Sequence, residues 1–187
     1  MKKIFKIVLV IFAVVIISGI GFFALVIGDV AGSLATGTHS LPNGAATGKA
    51  IIVYDPGLSG GAKDVATKIG YELQSSGYDV LLAGVKSSAA SNLTGYKVVV
   101  VGGPIYAGKP ASTIQTYLNN FQPPTNAKVG AFGYGSVKID NDNSTAVTQD
   151  VAPLPSSSKV TFNAVAKVTS SDNMNNLCQD FVTNLLK

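Results

Sequence analysis

The segment Val98–Leu118, VVVVGGPIYAGKPASTIQTYL, constrains the fold of this chain more than any other. Its four consecutive valines predict a strand buried on both faces, which is typical of a central strand in a parallel sheet. A loop rich in glycine and proline follows, and apolar residues then recur at helical spacing, at Ala111, Ile114, Tyr117, Leu118 and Phe121. Strand, loop and helix form the βα unit of an open α/β sheet. Because such sheets bind ligands at the carboxyl ends of their strands, the loop marks a candidate binding site.

The amino-terminal residues predict a membrane anchor, residues 1–28. Residues Ile7–Ile27 carry no charge over 21 positions, and three lysines precede them. A helix of this length, at about 1.5 Å per residue, crosses a hydrocarbon core of ~30 Å. The positive-inside rule then predicts a single-pass membrane protein with a cytoplasmic amino terminus and an extracytoplasmic domain. The alternative is a cleaved signal peptide with a site near residues 33–35, although cleavable apolar cores usually run roughly 7–15 residues.

Charge, cysteine and histidine content narrow the classes of function. The formal net charge is +4, and all of the cations are lysines without a basic stripe, so we expect no nucleic-acid partner. Cys178 is the single cysteine, which excludes an intramolecular disulfide and a cysteine-based metal cluster. It falls on the apolar face of a predicted helix, where a small inert core residue is expected. His39, the one histidine, lies in a polar stretch, and we expect no metal site.

The remaining chain alternates strand and helix patterns after a predicted flexible linker at residues 29–48, which is rich in Gly, Ala, Ser and Thr. Residues 49–187 are predicted to form one domain. Its five predicted strands are Ala50–Tyr54, Tyr78–Ala83, the strand from Val98, Ala127–Tyr134 and the alternating segment Val160–Val168. Residues 136–158 contain two prolines and predict a loop with at most a helical turn near residues 145–151. The alternation predicts an α/β fold, a doubly wound five-stranded parallel sheet in the order 2-1-3-4-5.

Three segments of this domain resemble the flavodoxin family. GGPIYAGKP (Gly102–Pro110) is similar to the flavin-facing loop of that family, and IIVYDPGLSGGAKDVATKI (Ile51–Ile69) is similar to its first strand, phosphate loop and first helix. Gly133-Tyr134-Gly135 falls where the family has the loop after its fourth strand. The resemblance implies a bound FMN. The cofactor-binding residues that it implies are Ser59, Gly60, Gly61 and Ala62 for the phosphate, and Pro104, Ile105, Tyr106, Ala107, Gly133, Tyr134 and Gly135 for the ring.

The phosphate loop differs from the family pattern in its side chains. Of the hydroxyls that this family places in the loop, Ser59 alone remains, while Asp55 adds a negative charge and Pro56 removes a donor. Each missing hydrogen bond costs about 1 kcal/mol, so we expect a phosphate affinity roughly one to three orders of magnitude lower than with the full pattern. The Gly-rich backbone at a helix start still favours an anion.

The resemblance implies an FMN-binding electron-transfer protein, and the predicted anchor would tether it to the outer face of a membrane. A redox protein or a quinone is the expected partner. A flavin would supply the redox chemistry, and the protein would hold it and tune its potential. The sequence shows no constellation of a catalytic acid, base or nucleophile. The alternative is a flavodoxin-like domain that has lost its flavin and acts as a surface binding module, which the atypical phosphate loop favours.

Overall fold

The computed structural model describes residues 10–22, 34–138, 141 and 144–187, and within them a sheet covered by helices on both faces. The strands are β1 (Thr38–Leu41), β2 (Gly48–Tyr54), β3 (Tyr78–Gly84), β4 (Val98–Tyr106), β5 (Lys109–Pro110), β6 (Lys128–Tyr134) and β7 (Ala164–Val168). The helices are α1 (Gly61–Ser75), α2 (Ser112–Asn119), α3 (Ser144–Val151) and α4 (Met174–Leu186), with a 3₁₀ turn at Ser88–Ser91.

The strand order is β1-β3-β2-β4-β6-β7, with the short β5 paired to β4. Five of these strands form a parallel sheet in the order β3-β2-β4-β6-β7. This is the predicted five-stranded sheet in the predicted order. The sheet is nevertheless larger than predicted. Two antiparallel strands, β1 beside β3 and β5 beside β4, extend it to seven.

The two faces of the sheet carry separate cores, because alternate residues of each strand point to opposite faces. Val99 and Val101 of β4 pack with α2 and α3, whereas Val98 and Val100 pack with α1 and α4. All four valines are at most 1% exposed, as predicted for a central strand buried on both faces. Cys178 is also buried, on the α4 side, and burial raises the pKa of its thiol to about 11. It is therefore the core residue that the pattern predicted.

Strand β1 corrects part of the predicted linker. Residues 38–41 pair with β3 from Thr38↔Ala83 to Leu41↔Val80, and Leu41 is buried against the sheet. The segment THSL is mostly polar and gives no strand signal by itself. It forms a strand because β3 otherwise ends the sheet with unpaired N–H and C=O groups, which an antiparallel segment satisfies.

Two further elements differ from their predicted extent. The last strand begins at Ala164, because Asn163 takes the place of a ladder residue: its N–H donates to Val129 O at 2.7 Å, and its Oδ1 accepts from Val129 N at 2.8 Å. Conversely, the turn predicted near residues 145–151 is the full helix α3. Its Val147 and Val151, one helical turn apart, are at most 2% exposed, so tertiary packing outweighs a weak local propensity.

The predicted anchor lies only in part within the described residues. Residues 10–22 are helical and exposed. The rest of the uncharged run, residues 7–9 and 23–27, lies outside the described residues. Within the part of the chain that the structure describes, no helix has the length and hydropathy needed to cross a membrane.

Candidate functional site

The residues that the resemblance implies for FMN gather at one end of the sheet, where β2, β3, β4 and β6 end; we call this end the carboxyl edge. Parallel pairing places Tyr54, Gly102 and Phe132 side by side across three strands, so the loops that follow them are neighbours. The site residues differ in exposure. Ser59, Tyr106 and Ala107 are exposed, Gly60 and Tyr134 are half-buried, and Gly61, Ala62, Pro104, Ile105, Gly133 and Gly135 are buried.

Asp55, the first residue after β2, is buried and points into the protein. It is 1% exposed, and one carboxylate oxygen accepts a hydrogen bond from Gly57 N at 3.0 Å. The other oxygen accepts a hydrogen bond from the Thr113 hydroxyl on α2. Its own N–H donates to Gly102 O at 3.0 Å. The carboxylate therefore holds the loop after β2 to the neighbouring βα unit, and both of its oxygens accept hydrogen bonds inside the protein.

Helix α1 begins at this loop with an N-cap residue that has no side chain. Its N-cap residue, Gly60, has φ +76°, a left-handed conformation that glycine adopts without steric cost, and no side chain caps the helix from that position. Ser59 Oγ accepts from Gly61 N at 3.4 Å. Lys63 is exposed on the first turn. Backbone N–H groups at a helix start and a nearby ammonium group together attract an anion.

The loop after β4 is a tight hairpin whose two central residues, Ala107 and Gly108, have φ of +50° and +76°. Positive φ at both positions defines a type I′ turn, the form that matches the twist of paired strands; it costs roughly 1 kcal/mol at the alanine. The hairpin brings Tyr106 over the phosphate loop. Leu58 N donates to Tyr106 Oη at 3.5 Å, while the Tyr106 side chain stays 45% exposed.

Two of the residues implied for the ring have contacts inside the protein. The Tyr134 ring lies against the first residue of α1, since a Cβ on Gly61 would be 2.2 Å from that ring. Tyr134 therefore packs on the phosphate loop, and its stacking on a flavin stays a prediction. Ile105 points into the core: it is 9% exposed and contacts the backbone of Gly133. The aromatic side chain that remains exposed on the loop after β4 is Tyr106.

A cleft of about 720 Å³ runs beside the phosphate loop on the β1 side. The loop from Pro56 to Gly60 and the segment before β1 line it, together with Tyr54. Burial raises the pKa of the Tyr54 hydroxyl. The lining residues that sequence reasoning missed are Leu34, Ala35, Gly37, Thr38, His39, Tyr54, Lys63, Thr67, Leu82 and Gly84. Lys63 and Thr67 can be found by their helical spacing from Gly60, whereas nothing in the sequence places residues 34–39 here.

The arrangement at the carboxyl edge suits the polar, phosphate-bearing half of an FMN. Gly60 at the start of α1 lines the cleft, Lys63 supplies a cation, and the carboxylate of Asp55 is turned inward. For the ring, Tyr106 offers an exposed aromatic surface next to the same loop. Among the described residues, no cluster of His, Cys, Asp or Glu is suited to hold a metal ion.

Comparison with known proteins identifies the fold. No protein-family model matches the sequence, and no curated protein matches it. Among solved structures, the flavodoxin of Streptococcus pneumoniae TIGR4 superposes with a TM-score of 0.52 at 13% identity, over 74% of this chain and 97% of that one. Flavodoxin 2 of Bacillus cereus gives a TM-score of 0.50 at 18% identity, again over 74% and 97%.

A flavodiiron protein contains the same architecture as part of a longer chain. The Flv1 flavodiiron core of Synechocystis sp. PCC6803 superposes with a TM-score of 0.51 at 17% identity, over 76% of this chain and 36% of that one. At such identities the likeness concerns the fold alone. The chain therefore has a flavodoxin-like fold, a mostly parallel α/β sheet with its candidate site at the carboxyl edge.

Proposed function

We propose that this protein binds FMN at the carboxyl edge and transfers electrons while its amino-terminal residues hold it in a membrane. The observation that carries the proposal is the glycine-capped start of α1, which follows directly on the loop whose Leu58 N–H contacts the exposed Tyr106, in a flavodoxin-like fold. A flavin bound there would accept and release electrons. The solved flavodoxins support this assignment through the shared fold.

The chain's own residues have distinct tasks in this proposal. The backbone N–H groups at the start of α1, the Ser59 hydroxyl and the Lys63 ammonium would hold the phosphate. Tyr106 would cover one face of the ring and exclude water from it. Asp55 would keep the phosphate loop in place through its hydrogen bonds to Gly57 and Thr113. Neither Asp55 nor Thr113 would touch the ligand.

The membrane half of the proposal depends on the uncharged run at residues 7–27. A single-pass anchor with the lysines on the cytoplasmic side would place the domain outside the cytoplasm. The chain lacks a strongly acidic character, since its formal net charge is +4. We therefore propose a quinone or a membrane-bound redox protein as the electron partner, in place of a soluble protein attracted by negative charge.

FMN binding is tested by titrating FMN with the full chain in detergent and measuring the quenching of flavin fluorescence. We expect saturable quenching. Tyr106→Ala should raise the Kd of FMN roughly three- to tenfold through loss of the stacked ring, whereas Tyr106→Phe keeps the ring and should keep the affinity. Tyr71→Ala is the matched control, because Tyr71 is 49% exposed on α1 and lies away from the carboxyl edge.

Two results would contradict the FMN proposal. One is an unchanged flavin signal at every protein concentration. The other is equal affinity of the wild type, Tyr106→Ala and Tyr71→Ala, which would show binding elsewhere.

A binding module without flavin is the second candidate function. Tyr106 and Tyr134 already have contacts inside the protein, which favours this candidate. The Tyr106 hydroxyl lies 3.5 Å from Leu58 N, and the Tyr134 ring covers Gly61. A module of this kind would use the same exposed loops for a macromolecule. The absorption spectrum of the protein purified from its native membrane separates the two candidates, because only the FMN-binding protein carries a yellow chromophore.

A further inference from the structure

The chain enters the domain at the carboxyl edge. Strand β1 is antiparallel to β3, so the residues before it lie beside the end of β3. Two hydrogen bonds fix this path: Gly84 N donates to Gly37 O at 2.7 Å, and Lys86 N donates to Ala35 O at 2.8 Å. Ala35 is 1% exposed, which shows that the entering segment is packed into the domain.

The connection to the uncharged run is short. Leu34 is seven residues after Ile27, the last residue of that run. Even a fully extended chain of this length spans at most ~25 Å. If residues 7–27 lie in a membrane, as proposed above, the carboxyl edge is the end of the domain held nearest to it.

Exposed large apolar side chains collect at the same edge. Leu34 is 50% exposed, Leu58 is 39% exposed and Val137, after β6, is 68% exposed. Tyr106 adds its half-exposed ring beside Leu58. Between residues 34 and 187, the large hydrophobic residue that is comparably exposed elsewhere in the described chain is Tyr71 on α1. The opposite end of the sheet shows no such residue within the described positions.

Three exposed lysines lie at the same edge as these apolar side chains. Lys63 lies on the first turn of α1, Lys86 follows β3 and Lys109 belongs to the hairpin after β4. Asp64 offsets one of these charges. An edge that carries both apolar side chains and lysines suits the surface of an anionic bilayer, because the apolar groups enter the headgroup region while the lysines reach the phosphates.

We propose that the carboxyl edge rests on the surface of the membrane, on anionic phospholipid, with Leu34, Leu58 and Val137 in the headgroup region. The proposal rests on the membrane anchoring proposed above and deepens it, because it assigns the orientation of the domain. The cleft and Tyr106 then face the lipid. An electron partner reaching this site would come from the membrane itself, as a lipophilic quinone does.

Tryptophan reporters test this orientation directly, since the chain contains no tryptophan. The full chain, free of flavin, is reconstituted into vesicles of phosphatidylcholine and phosphatidylglycerol that carry phospholipids with a quencher near the headgroup. We expect strong quenching for Leu58→Trp and Val137→Trp, since docked apolar side chains lie roughly 5–10 Å into the interface. Tyr71→Trp, about 15 Å along α1 from its start, is the matched control and should stay unquenched.

Charge variants give a second, independent readout. Lys86→Gln combined with Lys109→Gln should lower the ratio of docked to undocked protein by about fivefold for each lysine, and neither residue belongs to the proposed phosphate site. Lys49→Gln combined with Lys159→Gln, two exposed lysines away from the carboxyl edge, should leave quenching unchanged. Vesicles of phosphatidylcholine alone should reduce quenching as the first pair does.

The outcomes separate this proposal from the others. Vesicle flotation of the chain without quenching of Leu58→Trp or Val137→Trp overturns the docking and leaves the anchor standing. Equal quenching of all three reporters also overturns it, because the domain would then have no preferred face. Failure of the chain to float overturns both the docking and the anchor. If the reporters are quenched as expected but the protein fails the FMN titration, the docking is supported and only the FMN proposal is contradicted.

Discussion

At the scale of single residues, Asp172 shows how a loop at the carboxyl edge is held in place. Its carboxylate accepts hydrogen bonds from the Thr169 N–H and hydroxyl, both at 2.9 Å, and contacts Lys138 Nζ at 2.9 Å. The Asp172 side chain is 6% exposed, while that of Lys138 is 71% exposed. The contact ties the loop after β6 to the turn before α4. The hydrogen bond from Lys138, aided by those from Thr169, lowers the pKa of Asp172.

This lowered pKa makes a prediction about pH. A carboxyl whose pKa is lower in the folded state stabilises the fold fully above its unfolded-state pKa of about 4, and that contribution is lost as the pH falls through the folded-state pKa. Asp172→Asn should therefore lower the free energy of unfolding at pH 7 by about 1 kcal/mol, and the deficit should shrink towards pH 3. Urea unfolding at both pH values measures it.

Asp180→Asn serves as the control for this prediction, because Asp180 is an exposed carboxylate on α4. It should change the free energy of unfolding little at either pH. A deficit of Asp172→Asn that is equal at pH 7 and pH 3 would mean that the ionised carboxylate contributes nothing specific.

At the scale of elements, β1 and the segment before it depend on a missing side chain in β3. Gly84 leaves room for the entering backbone: a Cβ there would lie 2.2 Å from Ala35 O. Main-chain atoms cannot give way as a flexible side chain can. The antiparallel addition to the sheet is therefore set by close approach of two backbones at one glycine.

We expect Gly84→Ala to displace the segment before β1 while the parallel sheet stays folded. The measurement is limited proteolysis, with cleavage between residues 34 and 47 accelerated severalfold because local unfolding exposes that backbone. Gly37→Ala is the matched control, since a Cβ on Gly37 meets nothing within 4 Å. Equal cleavage rates in the two variants would contradict the role of Gly84, and an unchanged circular dichroism spectrum would verify that the sheet persists.

At the scale of the whole molecule, the architecture joins a doubly wound domain to a long apolar run through few residues. The domain has a core on each face of its sheet and pairs its outer strand with the entering chain. Residues 10–22, the described part of the uncharged run, belong to neither core. A bilayer is the environment in which 21 consecutive uncharged residues are expected to be stable.

We expect the full-length chain to stay in the membrane pellet after an alkaline carbonate wash of native cells. Deletion of residues 7–27 should move the protein to the soluble fraction, because the apolar run supplies the irreversible part of the attachment. Immunoblots and mass measurement of the two fractions check this expectation. A soluble native form whose sequence begins near residue 35 would contradict it and would favour cleavage of a signal peptide.

Sequence reasoning succeeded where local pattern and tertiary environment agree. The run Val98–Val101 is a central strand, and Cys178 lies in the core, because burial on both faces demands the apolar residues that the pattern displays. It failed where partners are distant in sequence. Strand β1 exists because β3 offers a free edge, and α3 exists because Val147 and Val151 meet the core.

Hydrophobic periodicity and glycine-rich turns are local properties, so they predict the fold class, the order of the five parallel strands and the edge of the sheet at which the candidate site lies. The tertiary structure settles which side chains stay exposed at that edge. It turned Asp55 inward, buried Ile105, left Tyr106 open and brought the entering chain to the same edge as Leu58. Those outcomes depend on contacts between segments far apart in the chain, which no local pattern records.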